Sequence, residues 1–174
     1  LGLSFCKLFH SKYEIVCSGR NYNLKSGIYL DITNPILCHE VLNSVKPDLE
    51  ANKHLEGLNK INFPWGVLTN GYKYQHEKMI RSGIVKLAPF YIVSGDFGCH
   101  KPCKEVFIEA AKKIELPCEE ILFVGDTAET DIIGAKSVGM KTAWIKMGRD
   151  YSLPDKPDLE IDHVKELGPI LNLF

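Results

Sequence analysis

The sequence predicts an α/β fold: a parallel sheet with helices packed on both faces. Three observations carry this. Four short apolar runs, Trp65–Leu68, Phe90–Val93, Ile121–Val124 and Thr142–Ile145, alternate with segments of helical periodicity. The runs are continuous rather than alternating, as strands buried on both faces require. The first three end in polar clusters, Thr69-Asn70, Ser94-Gly95-Asp96 and Asp126. In open parallel sheets that is the edge where ligands bind.

Taken in order, residues 1–46 are the least legible part. Tyr13–Cys17 and Gly27–Asp31 read as strands, and Ile36–Val45 as a helix with Ile36, Leu37, Val41, Leu42 and Val45 apolar. The regular pattern starts near residue 47. Pro47-Asp48 is a helix start, followed by Leu49, Leu55 and Leu58 at nearly helical spacing. A second helix is expected from Tyr74 to Ser82, with Gly83 as its stop. A third is expected from Lys104 to Ile114. Its Val106, Phe107, Ala110, Ala111 and Ile114 share one face, and Pro117 lies beyond it. Ile132, Ile133 and Val138 indicate a fourth helix, ended by Gly139. Residues 148–158, rich in Pro, Asp and Lys, read as a loop, and Val164–Leu173 as a closing helix or strand. The organisation expected is an atypical or partial segment over 1–46 and an α/β core over 47–174.

A chain of 174 residues, 45% hydrophobic and with a formal net charge of −1, can bury a substantial core. Near-neutral charge argues against nucleic-acid binding through a basic surface. No apolar run is long enough for a membrane span, and the first residues do not form a convincing signal peptide. The lack of an initiator methionine points to a fragment or a processed product. Cys6, Cys17, Cys38, Cys99, Cys103 and Cys118 read as reduced thiols of a cytoplasmic protein. Cys99-His100-x-x-Cys103 offers one close ligand pair with Lys101 inside it. A structural zinc site normally needs two such pairs, so the spacing reads as unmetallated.

Three stretches could carry chemistry. Thr69-Asn70-Gly71 offers a hydroxyl and backbone N–H groups at a strand end, a donor nest suited to phosphate; the same residues also suit an ordinary turn. Lys101, just before Pro102 and a helix start, could neutralise a phosphoryl group, or be a surface lysine. Asp126 ends a buried strand, and Asp131 opens the following helix, where the dipole favours a negative charge. Two carboxylates so placed suit a hard cation such as Mg2+. Their alternative is a helix cap and a favourable first-turn charge.

Thr69-Asn70-Gly71, Lys101-Pro102 and Gly125-Asp126 with Asp131 resemble, in order and spacing, the last three motifs of the haloacid dehalogenase (HAD) superfamily. The stretch Val124–Ile145 is similar to that of its capped phosphatases, among them acylneuraminate-9-phosphatases and nucleotide 5′-phosphatases. The resemblance implies a Rossmann-like core and a Mg2+-dependent phosphatase of a small phosphorylated metabolite, a sugar phosphate or nucleotide monophosphate. It implies that Thr69, Asn70 and Gly71 hold the phosphoryl group and Lys101 balances its charge. Asp126 would ligate Mg2+, and Asp131 would support the metal or orient Lys101.

The resemblance also implies an Asp-x-Asp pair at the end of a central first strand, as nucleophile and acid–base. Residues 1–68 contain none. In one reading, residues 1–46 are a cap remnant and the chain is a fragment or a non-catalytic binding or regulatory protein. In the other, Gly27–Asp31 fills the central strand position and Asp31 is the nucleophile, with Thr33 in place of the acid. A receiver-domain reading shares the fold class but calls for an early acidic pair and a different lysine position.

Overall fold

The computed structural model describes residues 42–171 and, ahead of them, the backbone strands Gly2–Phe5 (β1), Tyr22–Asn23 (β2) and Tyr29–Leu30 (β3). The core is a six-stranded sheet. It contains β1, Trp65–Thr69 (β4), Tyr91–Val93 (β5), Ile121–Gly125 (β6), Lys141–Ile145 (β7) and Leu159–Ile161 (β8), in the order β5-β4-β1-β6-β7-β8. Every pairing in it is parallel. The α/β expectation is met, and the four apolar runs are all strands. Both β4 and β6 are buried along their whole length, which is why they read as unbroken apolar runs.

One expectation is corrected. The central position is filled by β1, with Leu3 opposite both Trp65 and Leu122, and not by residues 27–31. Tyr29–Leu30 pairs antiparallel with Tyr22–Asn23 in a separate two-stranded sheet. A central parallel strand is selected by two partners at once, a tertiary condition that local apolar content does not reveal. Asp31 and Thr33 lie outside the described residues, as does most of the helix expected over 36–45.

Apolar layers cover both faces. On one, the helix Leu49–Lys60 (α1) lays Ala51, His54, Leu55 and Leu58 inward, at helical spacing. Asp48 caps it, accepting from the Ala51 N–H at 3.0 Å, as the Pro47-Asp48 start predicts. The chain continues through Lys73–Arg81 (α2) and Ile84–Leu87 (α3). Gly83 between them adopts φ +83, a left-handed turn that glycine makes without strain. On the other face, Lys104–Ile114 (α4) buries Val106, Phe107, Ala110 and Ala111 against Leu68, Ile121 and Phe123. It ends at Ile114, as expected, with Glu115 at φ +59 as its C-cap. After β6 the chain forms a π-turn, Ala128–Ile132, before the short helix Ile133–Lys136 (α5).

Burial holds the His54 imidazole below its ordinary value of 6.5, helped by the nearby His163. A histidine with a depressed folded pKa binds fewer protons folded than unfolded, so stability must fall as pH drops below that value. We expect wild-type stability, measured by denaturation, to decline from about pH 6.5 toward 5. The contribution of His54 should vanish from that slope in His54→Leu.

Candidate functional site

The carboxyl ends of β4 and β6 lie on either side of β1. Lys101 is the hub of the site they define. Its side chain is buried and its Nζ donates to Asp131 Oδ1 at 2.8 Å, with both side chains at most 2% exposed. Nζ also lies 3.5 Å from the Leu68 carbonyl oxygen and 5.7 Å over the Phe123 ring. Asn70 fixes the lysine's backbone from the other side. Its Oδ1 accepts from the Lys101 N–H at 2.8 Å, and its Nδ2 donates to the Lys101 carbonyl at 3.0 Å. The Asn70 amide side chain is thus a clamp joining two loops.

Asp131 sits in the π-turn. Its Oδ2 accepts from the Thr127 N–H at 3.1 Å and its Oδ1 from the Thr130 hydroxyl at 3.3 Å. The backbone of Gly125 passes so close that a Cβ there would lie 2.5 Å from the Asp131 carboxylate. Of the two roles the resemblance implies for Asp131, orienting Lys101 is the one this geometry supports.

Thr69 is buried, and its Oγ1 accepts from Gln75 Nε2 at 2.8 Å. That bond occupies an acceptor position, and the hydroxyl itself donates to the Asn70 carbonyl at 3.4 Å. Gly71, at φ +148, turns its own N–H to Ser94 Oγ at 3.2 Å, and its carbonyl accepts from Gly95 at 2.9 Å. Its N–H is therefore committed to Ser94 at the end of the neighbouring strand. Ser94 is bonded in turn to His100 Nδ1, and His100 Nε2 to the Tyr72 hydroxyl at 2.8 Å. Asp96 faces outward and pairs with His76 at 2.6 Å.

Asp126 is buried at the end of β6. Its carbonyl accepts from Trp144 Nε1 at 3.0 Å and from Arg149 at 2.6 Å. Arg149 also lies 3.7 Å from its carboxylate Oδ2 and 5.9 Å over the Trp144 ring. The main-chain bonds hold the Asp126 backbone, and Arg149 flanks its carboxylate. A buried hard carboxylate at a strand end fits Mg2+, which takes one or two carboxylates and completes its shell with water and substrate oxygens.

The structure therefore gathers Thr69, Asn70, Gly71, Lys101, Asp126 and Asp131 at one sheet edge. Sequence reasoning missed Gln75, Arg149 and the role of Ser94. Gln75 and Arg149 carry no local signal, while Ser94 stands in a polar cluster at a strand end. The hydrogen bond of Cys103 with Cys99, then that to Glu105, push its thiol up to about 12.

Fold and site together define an open α/β protein with a charge-balanced polar site beyond the carboxyl ends of its strands. The chain belongs to the haloacid dehalogenase-like hydrolases, whose family model matches residues 25–139. It is similar to the glyceraldehyde 3-phosphate phosphatase of Methanopyrus kandleri, 36% identical over 129 residues, covering 71% of this chain and 55% of that protein. The Pyrococcus abyssi protein of the same name is 38% identical over 100 residues, covering 57% and 42%. Among solved structures, a HAD phosphatase from Thermococcus onnurineus superposes with a TM-score of 0.70 at 29% identity, covering 78% of this chain and 63% of that one. The HAD-hydrolase YfnB from Bacillus subtilis, crystallised bound to magnesium, gives 0.70 at 27%, covering 78% and 60%. The chain spans about half the length of the curated relatives it matches. Among the described residues no helix is long and apolar enough to cross a membrane.

Proposed function

We propose that this chain carries the phosphoryl- and Mg2+-binding site of a phosphomonoesterase acting on a small phosphorylated metabolite. A three-carbon sugar phosphate is the first candidate, since relatives are named glyceraldehyde 3-phosphate phosphatase. A nucleotide monophosphate is the second, since an Escherichia coli relative is named pyrimidine 5′-nucleotidase. The observation that carries the reading is the buried Lys101–Asp131 pair, clamped by Asn70 beside Thr69. Thr69 and the backbone at Asn70 would hold phosphoryl oxygens, and Lys101 would balance their charge. Asp131 would fix the ammonium in place, and Asp126 would hold Mg2+, which supplies charge stabilisation when bound. Preorganised donors of this kind act without reorganising during the reaction.

A second reading is non-catalytic binding, and one observation favours it. The strand in the central position, Gly2–Phe5, continues in sequence as Cys6-Lys7-Leu8. The first carboxylate after it is Glu14, where the resemblance calls for Asp-x-Asp at the strand end. With β1 in the central position the strand-end argument for Asp31 falls away, and the catalytic reading carries Asp31 only as the substitution that tests it.

The test is turnover of a chromogenic phosphate ester and calorimetric Mg2+ binding for the wild type, Asp31→Asn and Asp126→Asn. Asp126→Asn should weaken Mg2+ at least about tenfold, or about 1.4 kcal/mol, and remove turnover. Turnover lost in Asp31→Asn assigns the nucleophile. Binding of Mg2+ and phosphate without turnover supports the second reading, and failure to bind either sinks both.

A further inference from the structure

The Cys99–Cys103 pair lies on the loop that carries Lys101, yet the reading above gives it no task. The sequence offers His100 as a companion ligand, but both His100 ring nitrogens are engaged, by Ser94 and Tyr72. The third donor comes instead from Glu105. The Sγ atoms of Cys99 and Cys103 and a Glu105 carboxylate oxygen all lie within 4.8 Å of one another. Cys103 Sγ donates to Glu105 Oε2 at 2.7 Å. We propose that Cys99, Cys103 and Glu105 form a three-ligand site for a thiophilic divalent cation of the zinc class, separate from the hard-cation site at Asp126.

Four features support it. Two sulfurs and one carboxylate are donors that zinc takes, in sites with three protein ligands and a fourth position left to water. Thiolates select against Mg2+, which demands oxygen. The ligands open helix α4: Cys103 is its N-cap residue and Glu105 is in its first turn. That end of a helix favours negative charge, which the thiols acquire as the ion displaces their protons. Two thiolates, one carboxylate and a divalent ion leave one net negative charge, which the helix N-terminus and neighbouring Lys104 offset. Finally, the loop is built before any ion arrives. Cys99 packs against the apolar layer of Leu68, Phe107 and Phe123. The Cys103 N–H donates to the His100 carbonyl at 2.9 Å, and Asn70 brackets the Lys101 backbone between the two cysteines. Binding replaces the two thiol protons by the ion and releases them to solvent.

The site does not depend on the phosphatase reading, and its test is spectroscopic. The full chain, reduced and freed of metal, is titrated with Cd2+ and with Co2+. One ion per chain should bind, with a sulfur-to-cadmium charge-transfer band in the ultraviolet and tetrahedral cobalt bands in the visible. The Cys118→Ser variant should keep both signals, and Cys99→Ser/Cys103→Ser should lose them. Glu105→Gln, an exposed change that leaves the fold alone, should weaken binding by at least the roughly 10–100-fold that loss of an outer-shell partner costs. A band of equal strength in the double variant, unchanged affinity in Glu105→Gln, or no band in the wild type overturns the proposal.

Discussion

Lys101→Met should destabilise the protein by about 3–5 kcal/mol, the cost of leaving a buried charge uncompensated. Asp131 is 1% exposed and the Lys101 ammonium is 2.8 Å from it. The N–H of Thr127 and the hydroxyl of Thr130 remain as dipoles, but neither cancels a full charge. Against a total stability of about 5–15 kcal/mol for an ordinary domain, the variant would sit near its unfolding threshold. The double change Lys101→Met/Asp131→Leu should recover most of the loss, because apolar replacement of a whole buried pair is often neutral. Urea denaturation of the two variants and the wild type is the measurement. A single-variant loss below about 1 kcal/mol would place the pair among the weak ones of exposed surfaces.

Phe107→Ala should cost a similar amount, about 3–5 kcal/mol, through lost burial and an unfilled cavity. The ring is fully buried and packs edge-on to Phe123, with centroids 5.0 Å apart. It fills the space in front of Gly134, where a Cβ would come within 2.5 Å of the ring and 3.1 Å of Pro102 Cα. The cavity would therefore open beneath the Lys101–Pro102 turn, and Phe123, over which Lys101 lies, would lose its partner. Phe107→Leu keeps most of the volume and should cost less than about 1.5 kcal/mol. Equal losses in the two variants, again by urea denaturation, would show that the site collapses freely.

Much of this was legible in the residues. Trp65–Thr69 and Ile121–Gly125 are buried on both faces, so their sequence is apolar without interruption. Thr69, Lys101 and Asp126 stand where such runs end or a helix begins, and their order carries the family resemblance. Other features depend on distant contacts. Gly2–Phe5 is a short strand with no turn residues to mark it, and only its two partners make it central. Leu159–Ile161 is a three-residue edge strand with Glu160 exposed, too short to show a period. The π-turn at Ala128–Ile132 has no mark in the sequence that sets it apart from ordinary helix, because Ile132 and Ile133 fit a helical face. Arg149 has no signal of its own, since its contacts arise from loops brought together by the fold.

The place of β1 in the sheet also bears on how quickly the chain can fold. Leu3 must meet both Trp65 and Leu122, so the middle of the sheet closes only after long stretches of chain have been drawn together. Closing such loops costs entropy before any contact repays it, and folds rich in distant pairings form slowly. Until β1 docks, the edges of β4 and β6 that it will cover expose unpaired amides flanked by apolar side chains, a template for pairing with other chains. The same strand that completes the native core therefore governs how long the half-formed sheet is open to aggregation.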